Sequence, residues 1–404
     1  MRYRRFGQTN LQMSVFSLGT MRFASASDAD ETIAAAIARG INHIETAPAY
    51  GPSEQYIGQS LQRLGLNQGT ARADLILTSK LTPTLTAEQV NQAIAVSLKR
   101  LGVSYLDCLA LHGINTPAHL NWVKSQMLGV LAQAQADGRI RHVGFSTHGS
   151  LALILSAIAT QAFAFINLHY NYFFQRHAPA IAQAHQQDMG IFIISPADKA
   201  GMLYTPPARL KDLCAPYEPL LLNYRWLLSD SRITTLSLGP AIPAELNWPL
   251  QLMDSKAEHD PIMPSPIMPS PITPSPITPS NIEPLNPHEQ AAIARLDRAQ
   301  QTALGRDRCA QCYACLPCPE AINIPEVLRL RNLSIAYDMK AFGQYRYGMF
   351  ENAGHWFPGQ KGNRCTDCGD CLPRCPEKLD IPSLLRDTHQ RLNGKKRKRL
   401  WEES

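Results

Sequence analysis

The first 240 residues repeat one unit eight times: a short apolar run, then a stretch with helical spacing. The runs are Val15–Met21, His43–Ala47, Leu75–Lys80, Tyr105–Gly113, His142–His148, Phe165–Asn171, Gly190–Pro196 and Ile233–Gly239. Between the third and fourth, Thr86 and Gln89 form a capping box, and Val90, Ile94, Leu98 and Leu101 share one helical face. Such alternation implies a parallel sheet covered by helices, and eight units in this length predict a closed (β/α)8 TIM barrel. A doubly wound open sheet is the alternative. It wants a G-x-G-x-x-G turn after the first strand, and "SLGTMRFASAS" has none.

The chain has 404 residues, enough for a second, smaller domain. The opening "MRYRRFGQTN" has no apolar leader region, and no run of about 18 apolar residues follows. These features predict a cytoplasmic protein with no membrane span. The net charge of +6 is modest and sits partly in the tail "KKRKR", Lys395–Arg399. That tail reads as solvated charge, with a docking patch for an acidic partner as the alternative. No nucleic-acid-binding motif is present.

Residues 261–280 are four tandem pentapeptides, "PIMPSPIMPSPITPSPITPS". Two prolines in every five residues disfavour helix and central strand, which predicts an extended, polyproline-like stretch. Asn286, Pro287 and Glu289 then start a helix, expected to be the last one of the barrel. The predicted organisation is a barrel over 1–250, a proline-rich insertion over 251–285, the last barrel helix over 286–306, a small, mostly helical ferredoxin-like domain over 307–392, and a basic tail over 393–404.

Eight of the ten cysteines fall in two runs: "CAQCYACLPCP", Cys309–Pro319, and "CTDCGDCLPRCP", Cys365–Pro376. Without a secretory leader, such clustering means metal rather than disulfides. Zinc typically takes two pairs set well apart. Three cysteines in C-x2-C-x2-C register, then a fourth before proline, suit a [4Fe–4S] cluster. Two runs predict two clusters that exchange their fourth ligands: Cys309, Cys312, Cys315 and Cys375 for one, Cys365, Cys368, Cys371 and Cys318 for the other. The first run is one residue short of the usual spacing. The helical spacer resembles that of two-cluster ferredoxin domains such as the succinate dehydrogenase iron–sulfur subunit. Cys108 and Cys214 read as lone thiols.

In a barrel, chemistry gathers at the C-terminal ends of the strands, which would bring Glu45, Tyr50, Lys80 and His112 to one mouth. An ammonium beside a tyrosine lowers its pKa, a carboxylate holds the ammonium, and a histidine orients a carbonyl. Residues 1–305 resemble an aldo-keto reductase: "INHIETAPAYGPSEQYIGQSL", "LILTSK" and "LDCLALHG" match the strands carrying that family's tyrosine, lysine and histidine. The resemblance implies Tyr50 as proton donor, Lys80 as its partner and His112 as carbonyl orienter. It implies Ser146 and Asn167 on a nicotinamide amide and Ser195 in the loop over the pyrophosphate, with NADP(H) or NAD(H) as cofactor. Three positions depart from the family pattern: Glu45 replaces aspartate, Thr147 replaces asparagine, and "LSLGPAIPAELNW" has no basic residue for a 2′-phosphate. The choice between NAD and NADP therefore stays open.

Three readings follow. In the first, an oxidoreductase acts on a small carbonyl or quinone-like substrate, and its clusters pass single electrons, with a one-electron carrier protein as partner. In the second, a plain carbonyl reductase carries structural or redox-sensing clusters. In the third, the barrel binds a nicotinamide without catalysis and acts as a redox sensor or electron-transfer partner.

Overall fold

Eight parallel strands close into a ring, each starting within a few residues of an expected run. They are β3 (Phe16–Gly19), β4 (His43–Glu45), β5 (Ile76–Leu81), β6 (Leu106–Leu111), β7 (Ile140–Ser146), β8 (Phe165–Leu168), β9 (Gly190–Ile193) and β10 (Thr235–Leu238), following an antiparallel pair, β1 (Tyr3–Arg5) and β2 (Gln12–Ser14). The order around the ring is β10-β3-β4-β5-β6-β7-β8-β9. The computed structural model describes residues 1–254 and 282–397; the tandem pentapeptides and the end of the basic tail lie outside the described residues.

The hairpin β1–β2 plugs the N-terminal end of the barrel. Phe6 and Met13 are buried in one cluster with Ile76, Cys108, Ala110, Phe165 and Phe192. Gly190 is required there: any Cβ at this position would run into the Phe6 ring. With this end filled, the loops after the strands are left to build a site.

A polar belt crosses four strands of the interior. The His43 ring lies 2.6 Å from Ser17 Oγ through Nδ1 and 2.8 Å from Thr78 Oγ1 through Nε2, and Ser17 meets Thr235 Oγ1 at 2.7 Å. Burial, and next the Lys80 charge, lower the His43 pKa to about 3, so the belt holds a neutral imidazole. Helix Ala87–Leu101 starts at the Thr86 capping box as its sequence requires and ends at Gly102, whose φ is +65°.

Contacts divide the chain into two units. One comprises Met1–Pro196 with Asn223–Pro284; the other comprises Ala197–Leu222 and the chain from Leu285 onward. Helix Pro287–Leu304 begins at the expected Asn286–Glu289 capping box. Expected to be a barrel helix, it is grouped with the second unit, where it packs on helices Ala208–Cys214 and Ile324–Tyr337. Arg295 Nε donates to the Leu213 carbonyl at 3.0 Å, and the Tyr337 hydroxyl donates to the Leu296 carbonyl at 3.1 Å. Helix Ile324–Tyr337 is buried along most of its length, and its Glu326 and Arg329 neutralise one another in a bidentate pair. Helices Lys340–Tyr347 and Ile381–Leu392 pack against it. Among the described residues, no helix is long and apolar enough to cross a membrane.

Candidate active site and cysteine centres

Glu45 is the last residue of β4 and Lys80 lies near the end of β5; both side chains are buried. The Lys80 ammonium touches the Glu45 carboxylate, and its Nζ donates to the Tyr50 hydroxyl at 2.9 Å and to the Thr46 carbonyl at 3.1 Å. His112 follows β6 directly, and its ring stands edge-on to Tyr50 with centroids 5.8 Å apart. The four side chains expected to meet do meet, and glutamate in place of aspartate still reaches the lysine.

The electrostatics differ from the sequence expectation. Burial drives the Lys80 amine well below its ordinary value and pushes the Tyr50 phenol above its own. Desolvation penalises both charged forms, and at Tyr50 it outweighs the pull of the neighbouring ammonium. The Glu45 carboxylate opposes the loss of charge on Lys80.

The other expected residues line the same end of the barrel. Ser146 closes β7, and its hydroxyl accepts from the Gly113 N–H at 3.0 Å. Thr147 donates to the Ile114 carbonyl at 2.7 Å and accepts from the Gly149 N–H. Both side chains thus tie the end of β7 to the chain after β6. Asn167 in β8 is fully buried, and neither its Oδ1 nor its Nδ2 has a hydrogen-bond partner among the described residues. An amide buried with both ends unmatched carries a desolvation cost that a complementary amide would offset. Ser195 lies two residues beyond β9 in the left-handed region, φ +51°.

Sequence reading missed a histidine pair beside these residues. His148 and His169 face each other, Nε2 to Nε2, at 3.3 Å, and His169 Nδ1 donates to the Ile194 carbonyl. The signal was present: each histidine stands two residues after an expected site residue, Ser146 or Asn167.

The eight clustered cysteines sort into two quartets. Cys309, Cys312, Cys315 and Cys375 line one cavity; Cys318, Cys365, Cys368 and Cys371 line another. Each quartet takes three residues from one run and the fourth from the other. The two loops share backbone geometry: Gln311 and Asp367 both have φ +57°, and Tyr313, at +63°, matches Gly369, at +80°. Burial first, then the charge of neighbouring thiolates, pushes Cys309 up to about 11 and Cys315 up to about 12. Thiols crowded this way favour a cationic core that holds them all as thiolates. Among the described residues, no three or more His, Cys, Asp or Glu side chains are drawn together as for a single metal ion. The quartets surround cavities instead.

Residues 16–213 match the aldo/keto reductase family, and residues 308–379 match the 4Fe-4S dicluster domain. The barrel is an aldo/keto reductase domain. It is similar to Protein tas of Escherichia coli (strain K12), 29% identical over 192 residues, 38% of this chain and 54% of that protein. It is also similar to the NADH-specific methylglyoxal reductase of the same bacterium, 28% identical over 162 residues, 34% of this chain and 49% of that protein. The chain spans about half the length of these curated relatives. The holo form of an aldo-keto reductase from Bacillus halodurans overlays with a TM-score of 0.57 at 17% identity, covering 73% of this chain and 96% of that one, a likeness of fold. In this aldo/keto reductase barrel, Glu45, Lys80 and His112 sit at the strand ends where the fold places its chemistry, and Tyr50 lies in the loop that follows β4.

Proposed function

We propose that the chain is a nicotinamide-dependent oxidoreductase that reduces a small carbonyl compound at the barrel mouth and carries two [4Fe–4S] clusters for one-electron transfer. The observation that supports this most is the contact set Glu45–Lys80–Tyr50, with His112 edge-on to the tyrosine.

NADH or NADPH, bound beside Ser146, Asn167 and Ser195, would supply a hydride. The unmatched amide of Asn167 offers an acceptor and donors to a carboxamide. Lys80 donates into the Tyr50 oxygen, which directs the tyrosine's own hydrogen away from the lysine and towards a substrate oxygen. Burial keeps that proton on Tyr50 until the substrate oxygen becomes strongly basic. The phenolate left behind faces the Lys80 amine, whose charged form the Glu45 contact favours against burial. His112 offers a ring nitrogen to orient the carbonyl. In the other unit, each cysteine quartet would hold a cluster that exchanges single electrons. The Escherichia coli relative named for NADH and methylglyoxal makes that pair the first to test.

The test is turnover of the full, cluster-loaded chain with NADH or NADPH over a panel of aldehydes and quinones. Tyr50→Phe should lower turnover at least ~100-fold, the usual scale for a lost general acid, while dinucleotide binding persists. Unchanged turnover in Tyr50→Phe would overturn the assignment.

A further inference from the structure

The two cysteine runs share one pattern, C-x-x-C-x-x-C-L-P, until the second inserts Arg374 before its last cysteine. The arm is pinned in place. Arg374 Nη2 donates to the Pro317 carbonyl of the first run at 2.9 Å, and Nε donates to the Asp370 carbonyl of its own run at 2.8 Å. Arg374 lines the cavity of Cys318, Cys365, Cys368 and Cys371. The other charged residue of that lining is Glu320, whose carboxylate accepts from the Thr366 hydroxyl at 3.1 Å. The cavity of Cys309, Cys312, Cys315 and Cys375 is lined by apolar residues, Tyr313 and one charged residue, Glu377. Arg329 lies on the helix that reaches this cavity through Pro325 and Leu328, and Glu326 neutralises it at 2.5 and 2.9 Å.

We infer that Arg374 makes the second quartet the electron sink of the pair, an inference that rests on the two-cluster reading. Reduction adds one negative charge at a site. A guanidinium fixed in the wall stabilises the reduced form, and a carboxylate in the wall opposes it. One electron from a low-potential one-electron reductant therefore settles at the quartet with Arg374. If it enters at the other quartet, that site is oxidised by one electron as the second is reduced by one. No bond changes and no proton moves.

The test is an EPR-monitored dithionite titration of the full, cluster-loaded chain. The wild type should reduce in two separable steps. Arg374→Gln should move the higher-potential step down and leave the lower in place; Arg374→Lys should keep most of the higher step. Glu377→Gln should move the lower step up, so the gap narrows from opposite sides. Iron and sulfide per chain are counted first: material for fewer than two clusters overturns the two-cluster reading itself. With both clusters present, an unmoved pair of steps in Arg374→Gln, or both variants moving the same step, overturns the ordering. Should Arg374→Gln lose iron, Glu377→Gln decides alone, and the ordering stands only if the lower step rises.

Discussion

At Lys80, two effects oppose each other: burial favours the neutral amine, and contact with Glu45 favours the ammonium. Burial alone holds the neighbouring Tyr50 as a protonated phenol, the state a proton donor needs. His43, two residues before Glu45, has no such carboxylate contact among the described residues, and burial lowers its pKa to about 3. The unfolded chain protonates this histidine near 6.5. Below that value it takes up a proton the folded state refuses, so stability should fall as pH drops from about 6.5 towards about 3, by ~1 kcal/mol per pH unit. Denaturant unfolding of wild type and His43→Gln over this range should show the acid loss flattened in the variant; parallel curves would refute the assignment. Lys80 and His112 were legible in the sequence because they sit at strand ends, and Tyr50 because it lies in the loop that follows β4. The His43 belt was not, since Ser17 and Thr235 come together only when β3 pairs with β10.

Among the elements, the strands were legible as apolar runs, but their ends were not. The run Phe165–Asn171 leaves the ladder after Leu168, and its last residues continue into the loop that carries His169. Hydrophobicity reports burial, and buried loop residues look like strand to any reading by pattern. The hairpin plug shows how much a short element can contribute. Phe6 fills the barrel's lower end against Phe165, ring centroids 5.3 Å apart. Phe6→Ala should cost about 3–5 kcal/mol, the range for emptying a buried phenylalanine site, read as a lower denaturation midpoint of the full chain. A change below ~1 kcal/mol would mean that the plug collapses to fill the space.

For the whole molecule, the expected barrel over 1–250 is interrupted, because Ala197–Leu222 groups with the second unit. The grouping of helix Pro287–Leu304 with the second unit was not legible, because a capping box says where a helix begins and nothing about what it packs on. The exchanged fourth cysteines were legible from spacing, and the cavity linings agree: Cys375 stands with the first run and Cys318 with the second. Cys375→Ser should therefore deplete iron at the first quartet, even though the substitution lies in the second run. Mössbauer and EPR spectra of the loaded variant should lose the site that Glu377→Gln perturbs; loss of the site that Arg374→Gln perturbs would refute the exchange.

The crossing of the two quartets also sets an order of events at synthesis. A ribosome releases the first run well before the second, and the first run alone offers a cubane three partners from its own register while its fourth lies in chain not yet made. Iron delivered early would find an unfinished site. On the two-cluster reading, loading of the first quartet would thus wait for completion of the segment through Cys375. On that reading, a chelator strong enough to strip either site would act, for that segment, as a denaturant.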